Sequence, residues 1–124
     1  MLSKVDFSES LKKKIYLLDG AMGTMIQAQN LQEQDYRGKR FEDHKVDLKG
    51  NNDLLTLTKP ELIEEIHCSF LKAGSDIIET NTFNSNAISQ SDYSLEHVTY
   101  ELNLEGARLA KKAINKINPA ALVA

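Results

Sequence analysis

Two short apolar runs that turn abruptly polar constrain the fold of this chain more than any other feature. Ile15–Leu18 is followed by Asp19 and a glycine-containing turn, and Ile77–Ile78 is followed by the polar tract Glu79–Asn84. An apolar run of this kind is typical of a strand buried in a parallel sheet and is too short for a helix. The carboxyl ends of such strands are where α/β proteins bind their ligands. The sequence therefore predicts two buried strands, within 15–18 and 75–79, whose ends carry polar side chains.

The segments between and after these runs have helical patterns. The spacing of Met22, Met25 and Ile26 predicts a helix from about residue 24 to 30, and an apolar stripe predicts another over 94–117, ended by Pro119. Ala120–Ala124 then resembles the start of a third strand. The order β-α-β-α-β implies an α/β fold with a parallel sheet and right-handed crossovers. No internal boundary interrupts it, so residues 1–124 are predicted to form one domain.

The helix between the two strands has the clearest signals. Thr58 and Glu61 fit a capping box, Pro60 suits the first turn, and Gly74 stands where a left-handed C-cap is expected. Its apolar residues recur on one face: Leu62, Ile63, Ile66, Phe70 and Leu71.

Two further regions have weaker patterns. Residues 1–14 resemble a short amphipathic lead-in, with Ser8 as a candidate cap for a helical turn through Leu11. Residues 31–53 show no sustained period, and a segment of this length in a compact domain is typically a functional loop or a linker. The apolar residues within it favour a packed loop; they are Tyr36, Phe41, Val46 and Leu48.

Composition excludes several classes of function. The net charge of −3 offers no basic surplus for nucleic acid or an anionic membrane. No apolar stretch approaches the roughly 20 residues that span a bilayer, and the charged N-terminus lacks the apolar region of a secretory signal. The single cysteine, Cys68, excludes an intrachain disulfide framework. We therefore expect a cytoplasmic protein that binds neither nucleic acid nor membrane.

Asp19 is the strongest single candidate for ligand binding. At a strand end its carboxylate could bind a cationic group such as an amine, while Gly20 and Ala21 let backbone N–H groups approach an anion. The alternative is a turn aspartate that caps the next helix. The spacing of Gly20 and Gly23 matches neither a dinucleotide-binding fingerprint nor a P-loop.

The polar tract that follows the second strand has two interpretations. Strand alternation would place Glu79, Asn81 and Phe83 on one face and Thr80, Thr82 and Asn84 on the other. The tract either binds a ligand or forms a hydrogen-bond network between loops. His67 and Cys68 point to different helix faces and favour packing over metal binding, and His44 and His97 lack partners at ligand spacing. The sequence predicts no metal site and no catalytic residue.

Three blocks of the sequence resemble a known family. Leu18–Gln27, Leu48–Leu55 and Ala73–Ser85 look like the start of the homocysteine-binding domain of cobalamin-dependent methionine synthases, within the wider homocysteine S-methyltransferase family. The resemblance extends from about Lys14 to Lys112. It implies a (β/α)₈ TIM barrel, which needs about 250 residues, so this chain would supply only the first two to three βα units. An incomplete sheet exposes apolar edges, and self-association is expected.

The resemblance also implies an activity. Such enzymes transfer a methyl group from methylcobalamin, remade from 5-methyltetrahydrofolate, to zinc-activated homocysteine and give methionine; the folate and the cobalamin bind to downstream domains of the same polypeptide. The residues of this chain that match the homocysteine pocket are Asp19, Gly20, Ala21, Thr80, Asn81, Thr82 and Asn84. The family's three zinc cysteines lie further along the chain, and Cys68 matches none of them. This segment alone is therefore expected to be inactive and to hold neither zinc nor cobalamin.

Three alternatives stay open. The methyl donor could be of another kind, as in the betaine-dependent members of the family. A different enzyme on a similar barrel, an aldolase or a pyridoxal-phosphate enzyme, would need a Schiff-base lysine at a strand end, and the lysines here fall on predicted helices and loops. The chain could also be a non-catalytic binding module.

Overall fold

The structure is a computed structural model that describes residues 4–124, with side chains from Asp6 onward. The first three residues of the predicted lead-in lie outside the described residues. The helices are α1 (Lys4–Leu11), α2 (Met22–Gln27), α3 (Glu33–Arg37), α4 (Leu55–Thr58), α5 (Pro60–Ala73), α6 (Ala87–Ser91) and α7 (Thr99–Ile117). The strands are β1 (Ile77–Ile78) and β2 (Leu122–Val123), and two 3₁₀ turns cover Asn52–Leu54 and Glu96–Val98.

The sheet is small and parallel. β1 pairs with β2 in the register Ile77 with Leu122 and Ile78 with Val123, and Leu18 forms a single parallel bridge to Ile77 on the other edge of β1. The predicted parallel α/β pairing and the predicted third strand are confirmed, although β1 is shorter than the predicted 75–79.

The predicted buried strand at residues 15–18 is wrong. The segment bonds to β1 only near its end, where the Ile77 N–H donates to the Leu17 carbonyl over 3.1 Å. Ile15 is 86% exposed and Leu17 is 59% exposed. A strand is buried only when neighbouring elements cover its faces, and no described element covers these side chains.

Helix α5 is the best-predicted element, with one exception at its start. Pro60 occupies the first turn, and Gly74 closes the helix in the left-handed region with φ of 108°. The predicted capping box is wrong, because Thr58 belongs to α4 and its hydroxyl donates to the Leu54 carbonyl over 3.3 Å. Lys59 is the N-cap residue and offers no side-chain bond.

Three other predicted helix boundaries shift. Helix α1 begins at Lys4, so Ser8 lies inside it and caps nothing at its start. Helix α2 occupies Met22–Gln27 rather than 24–30, and a left-handed residue, Asn30, lies beyond it. Helix α7 begins at Thr99 rather than 94, because Ser94 itself has φ of 53°, which a helix cannot contain.

Helices α5 and α7 pack against each other and form the centre of the core. One apolar cluster joins them to α2, α4 and the 31–53 segment, and its largest fully buried members are Ile26, Leu48, Leu54, Leu55, Ile63, Leu95 and Leu102. A second cluster, with Cys68, Leu71, Ile78, Ala110, Ala113, Ile114 and Ala121, joins the helices to the sheet. Cys68 is buried, as the sequence predicts.

The 31–53 segment packs against the core, as predicted, but it contains the short helix α3, which the sequence pattern did not indicate. The Arg37 guanidinium donates to the carbonyls of His44 (2.5 Å) and Val46 (3.2 Å). The Glu33 carboxylate pairs with Arg37 and accepts the backbone N–H groups of Leu48 and Lys49 over 2.8 and 2.6 Å. These contacts set the position of the residues that follow, 50–53, at the edge of the sheet.

Candidate functional site

A cavity of about 510 Å³ lies at the carboxyl ends of the parallel segments. Asp19, Glu79 and Ala124 directly follow the three paired segments, and all three line it. The remaining wall comes from the loops 20–23, 50–53 and 80–84. Its volume falls within the range of about 300–1,000 Å³ that small-molecule sites occupy.

All seven residues that the sequence singles out line this one cavity. They are Asp19, Gly20, Ala21, Thr80, Asn81, Thr82 and Asn84. A direct bond joins the two predicted clusters, since the backbone N–H of Glu79 donates to Asp19 Oδ1 over 3.0 Å. The backbone N–H of Asp19 donates in turn to the Ile77 carbonyl over 2.9 Å. The pairing of the strands thus brings the clusters together, while their binding of a substrate stays a prediction.

The carboxyl group of Asp19 lies in the cavity without a counter-charge from the described residues. Burial raises the pKa of its carboxyl, the bond from the Glu79 N–H opposes that rise, and the nearby Glu79 charge adds to it. Its second oxygen, Oδ2, accepts no hydrogen bond from the described residues. A cationic ligand group at that oxygen would supply the counter-charge that the cavity lacks.

The polar tract after β1 contains residues that fit each of its two interpretations, a hydrogen-bond network between loops and ligand binding. Asn81 is buried, and its side-chain amide donates to the Asn52 carbonyl (2.9 Å) and to the Thr56 hydroxyl (3.2 Å). Thr80 and Thr82 bond to each other through their hydroxyls over 2.7 Å. Asn81 therefore belongs to a network between loops, while its neighbours reach the cavity wall.

The predicted alternation of faces along this tract is wrong. Glu79 and Phe83 are exposed, Phe83 by 94%, whereas Asn81 between them is 6% exposed. The strand ends at Ile78, and its two-residue period ends with it.

Sequence reasoning missed the residues that support this wall from behind. Asp53 is 3% exposed, and its Oδ2 accepts the backbone N–H of Asn84 and the hydroxyl of Ser85, each over 2.7 Å. Burial raises the pKa of Asp53, and these two donors oppose that rise. Asn51 and Gln90 form a reciprocal amide pair, with bonds of 2.8 and 3.2 Å. The signal present in the sequence was the polar run 50–53, which lies within the block Leu48–Leu55 that carries the family resemblance.

Among the described residues, no group of three histidine, cysteine or carboxylate side chains is placed to hold a metal ion. Cys68 and His67 lie inside the packing of α5, and burial lowers the pKa of His67 to about 4. None of the helices in residues 4–124 is both long and apolar enough to cross a membrane.

Comparisons with known proteins identify the family of this chain. The family model described as homocysteine S-methyltransferase matches residues 16–124. The homocysteine methyltransferase MmuM from Escherichia coli, in its oxidised form, superposes with a TM-score of 0.66 at 26% identity, over 92% of this chain and 37% of that one. Its metallated form gives 0.66 at 25% identity, over 94% and 38%. The chain thus spans little more than a third of these structures, and it belongs to the homocysteine S-methyltransferase family.

Proposed function

We propose that this chain forms the amino-acid-binding part of a homocysteine methyltransferase barrel, in which Asp19 binds the α-ammonium group of L-homocysteine. The observation that carries the proposal is the free carboxylate oxygen of Asp19 at a cavity formed by the ends of parallel segments. An ammonium group on that oxygen would offset the desolvation that raises the pKa of Asp19. The three sequence blocks support the first units of a (β/α)₈ barrel as the surrounding fold.

The remaining predicted residues suit the rest of a small polar ligand. A Cβ on Gly20 would meet nothing within 4 Å, so the backbone there is open to the cavity. Ala21 has φ of 51°, which places the turn before α2 in the left-handed region. Thr80, Thr82 and Asn84 add hydroxyl and amide groups along the opposite loop. We assign these residues to substrate positioning, not to bond making or breaking.

The reaction proposed for the whole enzyme transfers a methyl group to the homocysteine sulfur and gives methionine. Residues 4–124 do not fit the zinc ion that activates this sulfur in the family, because they contain no set of ligands for it. The role assigned to them is therefore confined to the amino-acid end of the substrate. On the three blocks, we further propose methylcobalamin as donor, with cobalamin- and folate-binding domains in the same polypeptide. A cytoplasmic location is part of the same proposal.

The test is a titration of the ¹⁵N-labelled 124-residue chain with L-homocysteine under reducing conditions, followed by NMR. We expect weak binding, with a Kd on the order of millimolar, and shifts at the amides of Gly20, Ala21 and Thr80. Asp19→Ala removes the partner of the ammonium group and should weaken binding about tenfold or more.

Asp43→Ala is the matched control, because the Asp43 side chain is exposed and makes no hydrogen bond or ion pair with the described residues. It removes the same charge and should leave the titration unchanged. Equal losses in both variants, or shifts that map to α5 instead of the cavity, would contradict the assignment. The identity of the methyl donor must be tested on the longer polypeptide, assayed with methylcobalamin and with betaine in parallel. Turnover with betaine alone would refute the cobalamin proposal.

A further inference from the structure

We infer that the side-chain amide of Asn52 binds the α-carboxylate of the amino-acid substrate, in the same cavity where Asp19 takes the ammonium group. This inference rests on the proposed function and extends it to a residue that the sequence patterns did not single out. Asn52 and Asp19 both line this cavity. Together they would distinguish an α-amino acid from a simple amine or a simple thiol.

The orientation of the Asn52 amide is fixed by a buried phenol. Tyr36 is 6% exposed, and its hydroxyl donates to Asn52 Oδ1 over 3.0 Å. The backbone of Asn52 is fixed as well, since its carbonyl accepts the Asn81 side-chain amide over 2.9 Å. With Oδ1 facing Tyr36, the NH₂ group of the same amide must face the other way.

That NH₂ group is directed toward the cavity wall formed by Gly23. Asn52 Nδ2 lies 4.0 Å from the position that a Cβ on Gly23 would occupy, and both residues line the cavity. It donates no hydrogen bond to any described residue. Two N–H donors on a fixed carrier are thus available to a ligand at no reorganisation cost within the loop.

The charges around the cavity explain why a neutral donor is needed here. The residues that line it include the carboxylates of Asp19, Asp53 and Glu79, and none of the lining residues is lysine or arginine. A substrate carboxylate must therefore be bound by neutral donors, which here are N–H groups of the backbone and side chains and the threonine hydroxyls. The side-chain amide of Asn52 supplies such a donor, and the buried Tyr36 hydroxyl fixes its orientation.

The test compares two ligands that differ only in the carboxylate. L-Homocysteine carries it, and 3-aminopropane-1-thiol has the same amine and thiol without it. In the 124-residue chain, Asn52→Asp keeps the shape and the acceptor for Tyr36 but replaces the donors with a negative charge. It should weaken homocysteine binding by about tenfold or more and leave the decarboxylated amine unaffected or tighter.

Two further variants isolate the mechanism. Tyr36→Phe removes the hydroxyl that orients the amide and should weaken homocysteine binding severalfold, again without effect on the decarboxylated amine. Asn115→Asp makes the same charge change at an exposed position of α7 and should alter neither titration. Asp19→Ala should weaken both ligands, because both contain the amine.

The outcomes separate this inference from the proposed function. If Asn52→Asp leaves homocysteine binding unchanged, or weakens both ligands equally, Asn52 is structural and the inference fails while the Asp19 assignment stands. If the unmodified chain binds neither ligand, the proposed function fails and the inference with it.

Discussion

The buried side chain of His67 makes the stability of the fold depend on pH. Its side chain is fully buried in α5, and neither ring nitrogen has a hydrogen-bond partner among the described residues. Burial alone lowers its pKa from 6.5 to about 4. The imidazole is therefore neutral in the folded protein at neutral pH, whereas in the unfolded chain it takes up a proton below pH 6.5.

The stability of the fold should fall as the pH is lowered from 6.5 to 4, because the unfolded state then binds one more proton than the folded state. The full shift corresponds to roughly 3 kcal/mol of unfolding free energy. Urea unfolding of the chain at a series of pH values measures this slope.

His67→Leu is the matched variant, since leucine fills a similar volume and does not titrate. The unfolding free energy of this variant should exceed that of the natural chain by an amount that grows steadily between pH 6.5 and 4. Parallel pH profiles for the two proteins would show that His67 is not responsible. The carboxylates contribute to both profiles alike, so the difference between the profiles removes their effect. Asp53 is one of them, and its raised pKa makes the fold more stable as the pH falls, which is opposite to the effect of His67.

Helix α7 and the loop after β1 approach each other so closely that the helix has room only for glycine at the point of contact. A Cβ on Gly106 would lie 2.6 Å from Thr82 Cγ2 and 3.9 Å from Thr80 Cβ. Gly106 is buried at mid-helix, where alanine would otherwise be favoured by about 1 kcal/mol. The glycine therefore allows the helix to support the 80–82 segment at the cavity wall.

Gly106→Ala should lower the free energy of unfolding by about 1–3 kcal/mol, since the methyl group collides with Thr82. The second variant, Gly106→Ala with Thr82→Ser, removes the colliding Cγ2 and should recover most of the loss. Chemical denaturation of the four members of this cycle measures the coupling. Additive effects of the two substitutions would show that the contact does not limit the packing.

Local signals predicted some of these elements, and contacts distant in sequence decided the others. Pro60 and Gly74 marked both ends of α5 because caps depend only on neighbouring residues. Asp19 was placed near the 79–84 tract because parallel strands end at the same edge. The role of Asp53 depends on a bond to a residue 31 positions later, which no local pattern contains.

On the scale of the whole molecule, the segment that borders the sheet at β1 presents an uncovered apolar surface. Ile15, Leu17 and Leu18 are 86%, 59% and 52% exposed, and we call this group the open edge. A second cavity, of about 900 Å³, adjoins it and is lined mainly by apolar residues, among them Leu18, Ile77, Ile114, Leu122 and Val123. Exposed apolar surface beside a parallel strand favours association with other chains.

We expect the 124-residue chain to self-associate through the open edge, with a mean mass above 13.9 kDa that rises with concentration in light scattering. Ile15→Lys combined with Leu17→Lys places two charges on that edge and should shift the protein toward the monomer. Ile88→Lys is the control, because Ile88 is also 86% exposed but lies on α6. It adds the same kind of charge away from the sheet and should leave the mass unchanged. A monomer mass at every concentration, or equal effects of substitutions on both surfaces, would contradict association through the open edge.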